Sequence, residues 1–350
     1  MTSSQEARNW LRALPKCELH LHLEGTVTPE TLVILSARHD SEPLTLEDAR
    51  ALYQYKDFRH FLSTFKLICD RLLTPDDYAL IAHKLMRNLA MQGVVHAEVY
   101  ISCGNILRWK PELSLEDVMT AVEGAVTGFE VQTGVPPPSM MWIVDATRQW
   151  GTGPVQKVFC HAAKLKDRFT SVVGVGVGGD EAAGPVGTFR EAYRAARKAG
   201  LRLTAHAGEA TGPVQGPLEI RTALEMDVER IGHGLAAQHD EDLMTLLAQN
   251  QVPVEINVTS NVLTGCCPSS QDHPLPKFFE KGIRCVLCSD DPAMFGSWCL
   301  DEYVLVHETL GFSLQDMKTL ASNSVTASFL EQDKKESILK KIRQHDIPVE

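Results

Sequence analysis

The chain is predicted to fold as an α/β protein, a (β/α)8 TIM-type barrel with extra helices over the C-terminal face. Three observations carry this expectation. Eight short apolar runs alternate with longer stretches of helical periodicity, the pattern of repeated βαβ units. Histidines and carboxylates collect where four of those runs end, and in a barrel of parallel strands that end is where active sites are assembled. The length, 350 residues of which 44% are hydrophobic, suits one large core, so residues 1–350 are expected to form a single domain.

The first run, 17–23, contains His20 and His22 in Leu-His-Leu-His-Leu-Glu-Gly. Side chains at i and i+2 of a strand point the same way, so both imidazoles would face one interior. A lone His-x-His reads equally well as two unrelated surface histidines. The interval 29–65 is long for one strand-to-helix connection and holds Tyr53, Tyr55, Phe58, Phe61 and Phe65. It is expected to add helices over the barrel mouth, with core packing the plainer role for its rings. Thr74 starts a helix that runs to Met91, with a Thr-x-x-Asp opening and a stop at Gly93. Strands follow at 94–101 and 139–145, with a helix from Ser114 to Phe129 between them.

The fourth strand is expected at 171–176 and the fifth at 201–206, separated by a helix over Val186 to Ala199. The fifth runs into His206-Ala207-Gly208-Glu209. A sixth, 229–233, ends in Ile-Gly-His233-Gly, a seventh spans 252–257, and the eighth, 283–288, runs into Ser-Asp290-Asp291-Pro. Three histidines and an aspartate are a suitable nitrogen and oxygen set for zinc or a similar divalent ion. Taken alone, His233 reads as a satisfied buried histidine, and Asp290-Asp291 as a helix N-cap ahead of Pro292. Glu331 to Lys341 has the pattern of a solvated, charged terminal helix.

The formal net charge of -11 disfavours a nucleic-acid backbone or an anionic membrane surface as partner and leaves a small molecule as the expected one. Residues 1–10 lack a basic start followed by an apolar stretch, and no apolar run approaches a membrane span, so a cytoplasmic protein is expected. Nine cysteines scattered through apolar stretches read as reduced thiols. Oligomeric state leaves no mark in the sequence.

Five segments in order, Leu-His-Leu-His-Leu-Glu-Gly, His-Ala-Gly-Glu at 206–209, Ile-Gly-His-Gly at 231–234, Thr-Ser-Asn at 259–261 and Ser-Asp-Asp-Pro at 289–292, resemble the adenosine and adenine deaminase family of the amidohydrolase superfamily. The resemblance spans roughly residues 14–330, and the glycine-rich stretch 172–181 resembles the family's purine-contacting loop. It implies one zinc ion per chain, held by His20, His22, His206 and Asp290 with a position left for water. It also implies hydrolytic attack at C6 of a 6-aminopurine with loss of ammonia. Glu209 is implied as the proton donor to N1, kept protonated by burial, and His233 as the residue that orients and deprotonates the water. Asp291 would meet N7 and the backbone N–H of Gly179 would meet N3; His22 and Glu24 complete the implied substrate contacts. Gly174, Gly176 and Gly179 also fit Gly-x-Gly-x-x-Gly, but no acidic residue stands where a dinucleotide would need it, and close approach to a purine accounts for them better.

Two departures bear on the substrate. Family members acting on adenosine commonly carry Asp where this chain has Glu24, placed for the ribose 5′-hydroxyl; adenine-specific relatives, and those taking bulkier nucleosides such as 6-amino-6-deoxyfutalosine, carry Glu. Gly176 likewise stands where adenosine deaminases more often show Asp. The segment Val99 to Lys110 resembles a loop of the aminodeoxyfutalosine enzymes, with Arg108 or Lys110 available to meet a carboxylate, or else it is an exposed basic turn. The expectation is a 6-aminopurine nucleoside, with free adenine as the alternative. A two-metal amidohydrolase and a non-catalytic purine-binding relative rank below these. A different zinc deaminase class, suggested by His96-Ala97-Glu98 and Cys285-Val286-Leu287-Cys288, is disfavoured by Arg284 in place of proline and by the separation of the two pieces.

Overall fold

Eight parallel strands follow one another around the barrel in chain order. The computed structural model describes residues 4–56, 58–129 and 137–348. The strands are β1 (Lys16–His22), β2 (Val94–Ile101), β3 (Ser139–Thr147), β4 (Val172–Gly178), β5 (Arg202–Ala207), β6 (Arg230–His233), β7 (Pro253–Ile256) and β8 (Arg284–Leu287). Each sits within a few residues of the run that predicts it. The segment after β8 returns to β1: Asp290 N donates to His20 O at 2.9 Å and His22 N donates to Asp290 O at 2.8 Å. That exchange makes Leu21 and Asp290 bridge partners and joins the two ends of the sheet.

All seven residues of β1 and all seven of β4 are buried, as expected for strands covered on both faces. The barrel interior is not wholly apolar. Arg230, buried at the start of β6, pairs through Nε with Glu255 of β7 at 2.6 Å and through Nη1 with Glu98 of β2. Glu98 also accepts the backbone N–H of Phe329, and His96 Nε2 lies 3.2 Å from it. A buried guanidinium is tolerable only when paired this completely.

The helix Pro75–Met91 opens on the capping box that Thr74 and Asp77 signal, and Ser114 caps Leu115–Thr127 by accepting from Asp117 N. Where one helix is expected over 186–199, a 3-10 turn at Val186–Phe189 precedes the helix Arg190–Lys198, and the charged terminal helix is Gln332–Arg343. The long first connection does fold as helices, Pro29–His39, Leu46–Leu52 and Phe58–Cys69. Phe61 stacks on Phe295 with ring centroids 4.9 Å apart, and both Phe61 and Phe65 face the barrel cavity. The side chain of Phe58 lies outside the described residues.

One expectation is corrected. The segment around 108–110 is not an exposed basic turn: Cys103–Trp109 is helical, and Lys110 is buried, with Nζ donating to Leu72 O at 2.7 Å and to Cys69 O. Two of its three N–H donors go to backbone carbonyls, and it does not line the cavity. Arg108 lies over the Trp150 ring, 4.8 Å from its centroid. Among the described residues, no helix is long and apolar enough to cross a membrane.

Candidate active site

A cavity of about 290 Å³ opens at the C-terminal mouth of the barrel, with His22, His206, Glu209, His233, Asp290 and Asp291 in its wall. The residues expected at the metal converge at its floor. His20 Nε2 lies 3.0 Å from His206 Nε2 and 3.5 Å from Asp290 Oδ1, and His22 Nε2 lies 3.3 Å from the same oxygen. Zinc bonds of about 2.0–2.1 Å in a tetrahedral arrangement put ligand atoms about 3.3 Å apart, so this spacing fits a single divalent cation. One foursome, His20, His206, His233 and Asp290, has its ligand atoms within 4.8 Å of one another. It includes His233 and leaves out His22.

The surroundings fix how these groups present themselves. His20 Nδ1 lies 2.7 Å from Glu255 Oε2; the carboxylate can only accept, so Nδ1 carries a hydrogen and Nε2 is the atom turned into the site. Ser260 Oγ donates to Asp290 Oδ2 at 2.6 Å, which leaves Oδ1 to face His20 and His22. His206 Nδ1 is buried without a hydrogen-bond partner, so its other nitrogen carries the residue's interaction with the site. Both His233 and Asp290 adopt left-handed backbone, each with φ 63. Non-glycine residues there cost about 1–3 kcal/mol, strain that collects where a side chain must be aimed.

Charge is unevenly compensated. Burial alone would lower the His20 pKa, yet Asp290 and Glu255 override it and push the imidazole up to about 10. Burial and the neighbouring imidazoles hold His206 well below its ordinary value. Asp290 is held well down by His20 and His22 against the cost of burial. Such a pocket, with two carboxylates around its histidines, favours positive charge, whether as protons on the imidazoles or as a cation in their place.

Glu209 stands across the cavity with its side chain 8% exposed and Oε1 3.7 Å from His233 Nδ1. Burial, followed by the negative charges of Asp290 and Glu181, raises its pKa to about 8. Asp291 is raised well above the ordinary carboxyl range by burial and by Asp290. Its Oδ1 has no partner, and it packs so closely on Gly25 that a β-carbon there would come within 1.9 Å of that oxygen. Gly179, φ 97, also lines the cavity, and a β-carbon on it would meet Gln149 Oε1 at 2.3 Å. Gly174 and Gly176 do not reach the cavity wall; they make room for Arg202 backbone and for Tyr100 and Thr204.

Glu24 is placed differently from the other expected contacts. It is 1% exposed and accepts from Ser102 N at 3.0 Å and Ser102 Oγ at 3.2 Å, so Ser102 faces the cavity in its stead. Several functional neighbours escape a reading of the sequence: Glu255 behind His20, Glu181 beneath Glu209, His273 behind Asn261, and Asp145 in the cavity wall. The signal for Glu255 was available, since a carboxylate at the centre of the apolar run Pro-Val-Glu-Ile has to be paired when buried.

The family model described as Adenosine deaminase matches residues 15–345. Adenine deaminase from Streptomyces coelicolor is 37% identical over 329 residues, covering 92% of this chain and 92% of its own. Aminodeoxyfutalosine deaminase from Streptomyces avermitilis is 32% identical over 332 residues, covering 94% of this chain and 90% of its own. The crystal structure of adenine deaminase from Arthrobacter aurescens superposes with a TM-score of 0.82 at 30% identity, covering 95% of this chain and 99% of that one. With the match running through every barrel strand and through each segment that feeds the cavity, the chain belongs to the adenosine deaminase family.

Proposed function

We propose that the chain is a zinc-dependent purine nucleoside aminohydrolase. It converts adenosine, or an adenosine-like nucleoside such as 6-amino-6-deoxyfutalosine, to the 6-oxopurine with release of ammonia. The observation that carries this reading is a carboxyl group, Glu209, kept protonated near neutrality on the wall of a cavity whose floor gathers His20, His206 and Asp290. Addition of water to an aromatic ring carbon is costly unless a ring nitrogen takes up a proton as that carbon becomes tetrahedral. With a pKa near 8, Glu209 holds that proton at pH 7 and delivers it to N1.

One zinc ion per chain, held by His20, His22, His206 and Asp290, supplies when bound a Lewis acid that makes water a competent nucleophile at neutral pH. The protein's own groups place the purine. Asp291, protonated and with Oδ1 unpaired, donates to N7, while the Gly179 N–H reaches N3. His233 aligns the attacking oxygen. Glu24 acts on the substrate through Ser102, which it holds against the cavity. The cavity wall also includes Ser63, Lys66, Trp109 and Trp150, polar and aromatic groups available to a substituent on N9.

Free adenine is the second reading, favoured by the withdrawal of Glu24 from the cavity and by the 37% identity to an adenine deaminase. Ammonia release from adenine, adenosine and 6-amino-6-deoxyfutalosine, measured in parallel as kcat/KM, separates the two. A preference of tenfold or more for one nucleoside, about 1.4 kcal/mol in the transition state, supports the proposal. The same preference for adenine moves the assignment to the base, and inactivity on all three at full zinc loading overturns the purine reading.

A further inference from the structure

We infer that His273, acting through Asn261, fixes the hydrogen of His233 on Nε2, so that His233 meets the reacting oxygen as a hydrogen-bond donor and is neither a metal ligand nor the base. The inference deepens the functional reading above and rests on it only for the identity of the reaction.

A main-chain amide, which can only donate, sets the first ring. The backbone N–H of Leu275 donates to His273 Nδ1 at 3.1 Å. That nitrogen therefore offers its lone pair, and the ring hydrogen sits on Nε2. His273 Nε2 lies 3.2 Å from Asn261 Oδ1, and an N–H there requires the oxygen end of the amide to face it. The NH2 end must then point the other way, and it lies 2.9 Å from His233 Nδ1. His233 Nδ1 accepts, so its hydrogen is on Nε2. The orientation of the Asn261 side chain thus follows from a main-chain amide two hydrogen bonds away.

A second amide reinforces the assignment. Asn257 Nδ2 lies 3.3 Å from the same His233 nitrogen, and in turning that way it leaves its own Oδ1 buried without a partner. Adding a proton to His233 Nδ1 would set an N–H against two NH2 groups. His233, Asn257, Asn261 and His273 are all buried, so no water relieves such a clash.

Two consequences follow for the site. His233 belongs to a foursome of ligand atoms within 4.8 Å of one another, yet a nitrogen bearing hydrogen has no lone pair to give a cation. The third imidazole is therefore His22, whose Nε2 approaches Asp290 Oδ1 at 3.3 Å. The Nε2–H of His233 faces the Asp290 side of the pocket, 3.9 Å from Oδ2, where it can orient an oxygen but cannot take a proton from it. This revises the base role implied by family resemblance. His273 is then a positioning residue, remote from the substrate and acting on it through two hydrogen bonds.

The test is a long-range 1H–15N correlation spectrum of the histidine rings in the full-length, zinc-loaded protein, recorded for the native chain and for Asn261→Asp, His273→Gln and His273→Leu. The native chain should show His233 protonated at Nε2 alone. Asn261→Asp keeps the shape but presents only acceptors, so it should move the hydrogen to Nδ1 and lower kcat by about tenfold or more at unchanged zinc content. His273→Gln, whose amide can still donate to Asn261, should keep more of kcat than His273→Leu; if the leucine variant fails to fold, the aspartate variant decides alone. Native His233 protonated at Nδ1, or doubly protonated, overturns the inference, as does an inverted ring in Asn261→Asp with kcat unchanged. A native enzyme inactive on every purine would sink the functional reading while leaving the ring spectrum to be judged separately.

Discussion

The carboxylate of Glu181 accepts the backbone N–H of Glu209 at 3.0 Å and so holds the residue whose own carboxyl it helps keep protonated. The same group takes the N–H of Gly208, the N–H of Ala210 at 2.9 Å and the hydroxyl of Thr211 at 3.2 Å. One acid thereby fixes both the position and the proton affinity of another.

Glu209→Gln is expected to keep its zinc and lose most turnover, by about 10²–10⁴ in kcat, because an amide cannot release a proton to N1. Full activity in this variant, measured as ammonia release, would remove Glu209 from proton transfer.

Loss of a floor histidine should remove metal and activity together. His20→Ala is expected to fall well below one zinc per chain by elemental analysis. Glu255→Gln, which keeps the shape but weakens the partner of His20 Nδ1, should retain the site with zinc affinity lowered about 10–100-fold. Unchanged zinc content in His20→Ala would break the ligand assignment.

Glu24→Ala should slow adenosine and adenine to a similar extent, since its oxygens are bonded to Ser102 and withdrawn from the cavity. A loss confined to nucleosides, seen in kcat/KM for the two substrates side by side, would mean that Glu24 reaches past Ser102 to the sugar.

Acid stability should depend on Glu98. Arg230 and His96 outweigh burial and hold this carboxyl at about 2, down from its ordinary 4.5. Between those values the folded chain binds fewer protons than the unfolded one, so the stabilisation is complete above pH 4.5 and is lost as pH falls towards 2. Glu98→Gln, which strips one of two carboxylates from a buried guanidinium, should cost about 3–5 kcal/mol at pH 7. Its denaturation midpoint should also change less between pH 5 and pH 3 than that of the native chain.

Much of the barrel was legible because a parallel strand covered on both faces has to be an apolar run, and eight such runs bounded by helical periods leave few architectures open. His20, His206 and Asp290 were legible for a related reason: strand ends gather at one face whatever the helices do. The charges behind them were hidden. Glu255 and Arg230 are each a single polar residue in a short strand, and their pairing is set by the lateral register of β6 on β7. Asn261 sits on the short helix Val258–Leu263 and His273 in a loop, and no periodicity encodes how the two meet. Lys110 was misjudged since a lysine's solvated state is the ordinary one, and only the carbonyls of Cys69 and Leu72 change that.

The seam between β1 and the segment after β8 has a temporal meaning as well as a spatial one. Residues 21 and 290 meet there, and His20 and His22 approach Asp290 across it, so the earliest and latest parts of the sheet share one site. A chain emerging from the ribosome carries its first two histidines long before the aspartate that completes them. Contacts of such sequence separation form late and slowly. On the metal site proposed above, the ion would be a passenger taken on at the end of folding, and a fluctuation that parts this seam would let it go.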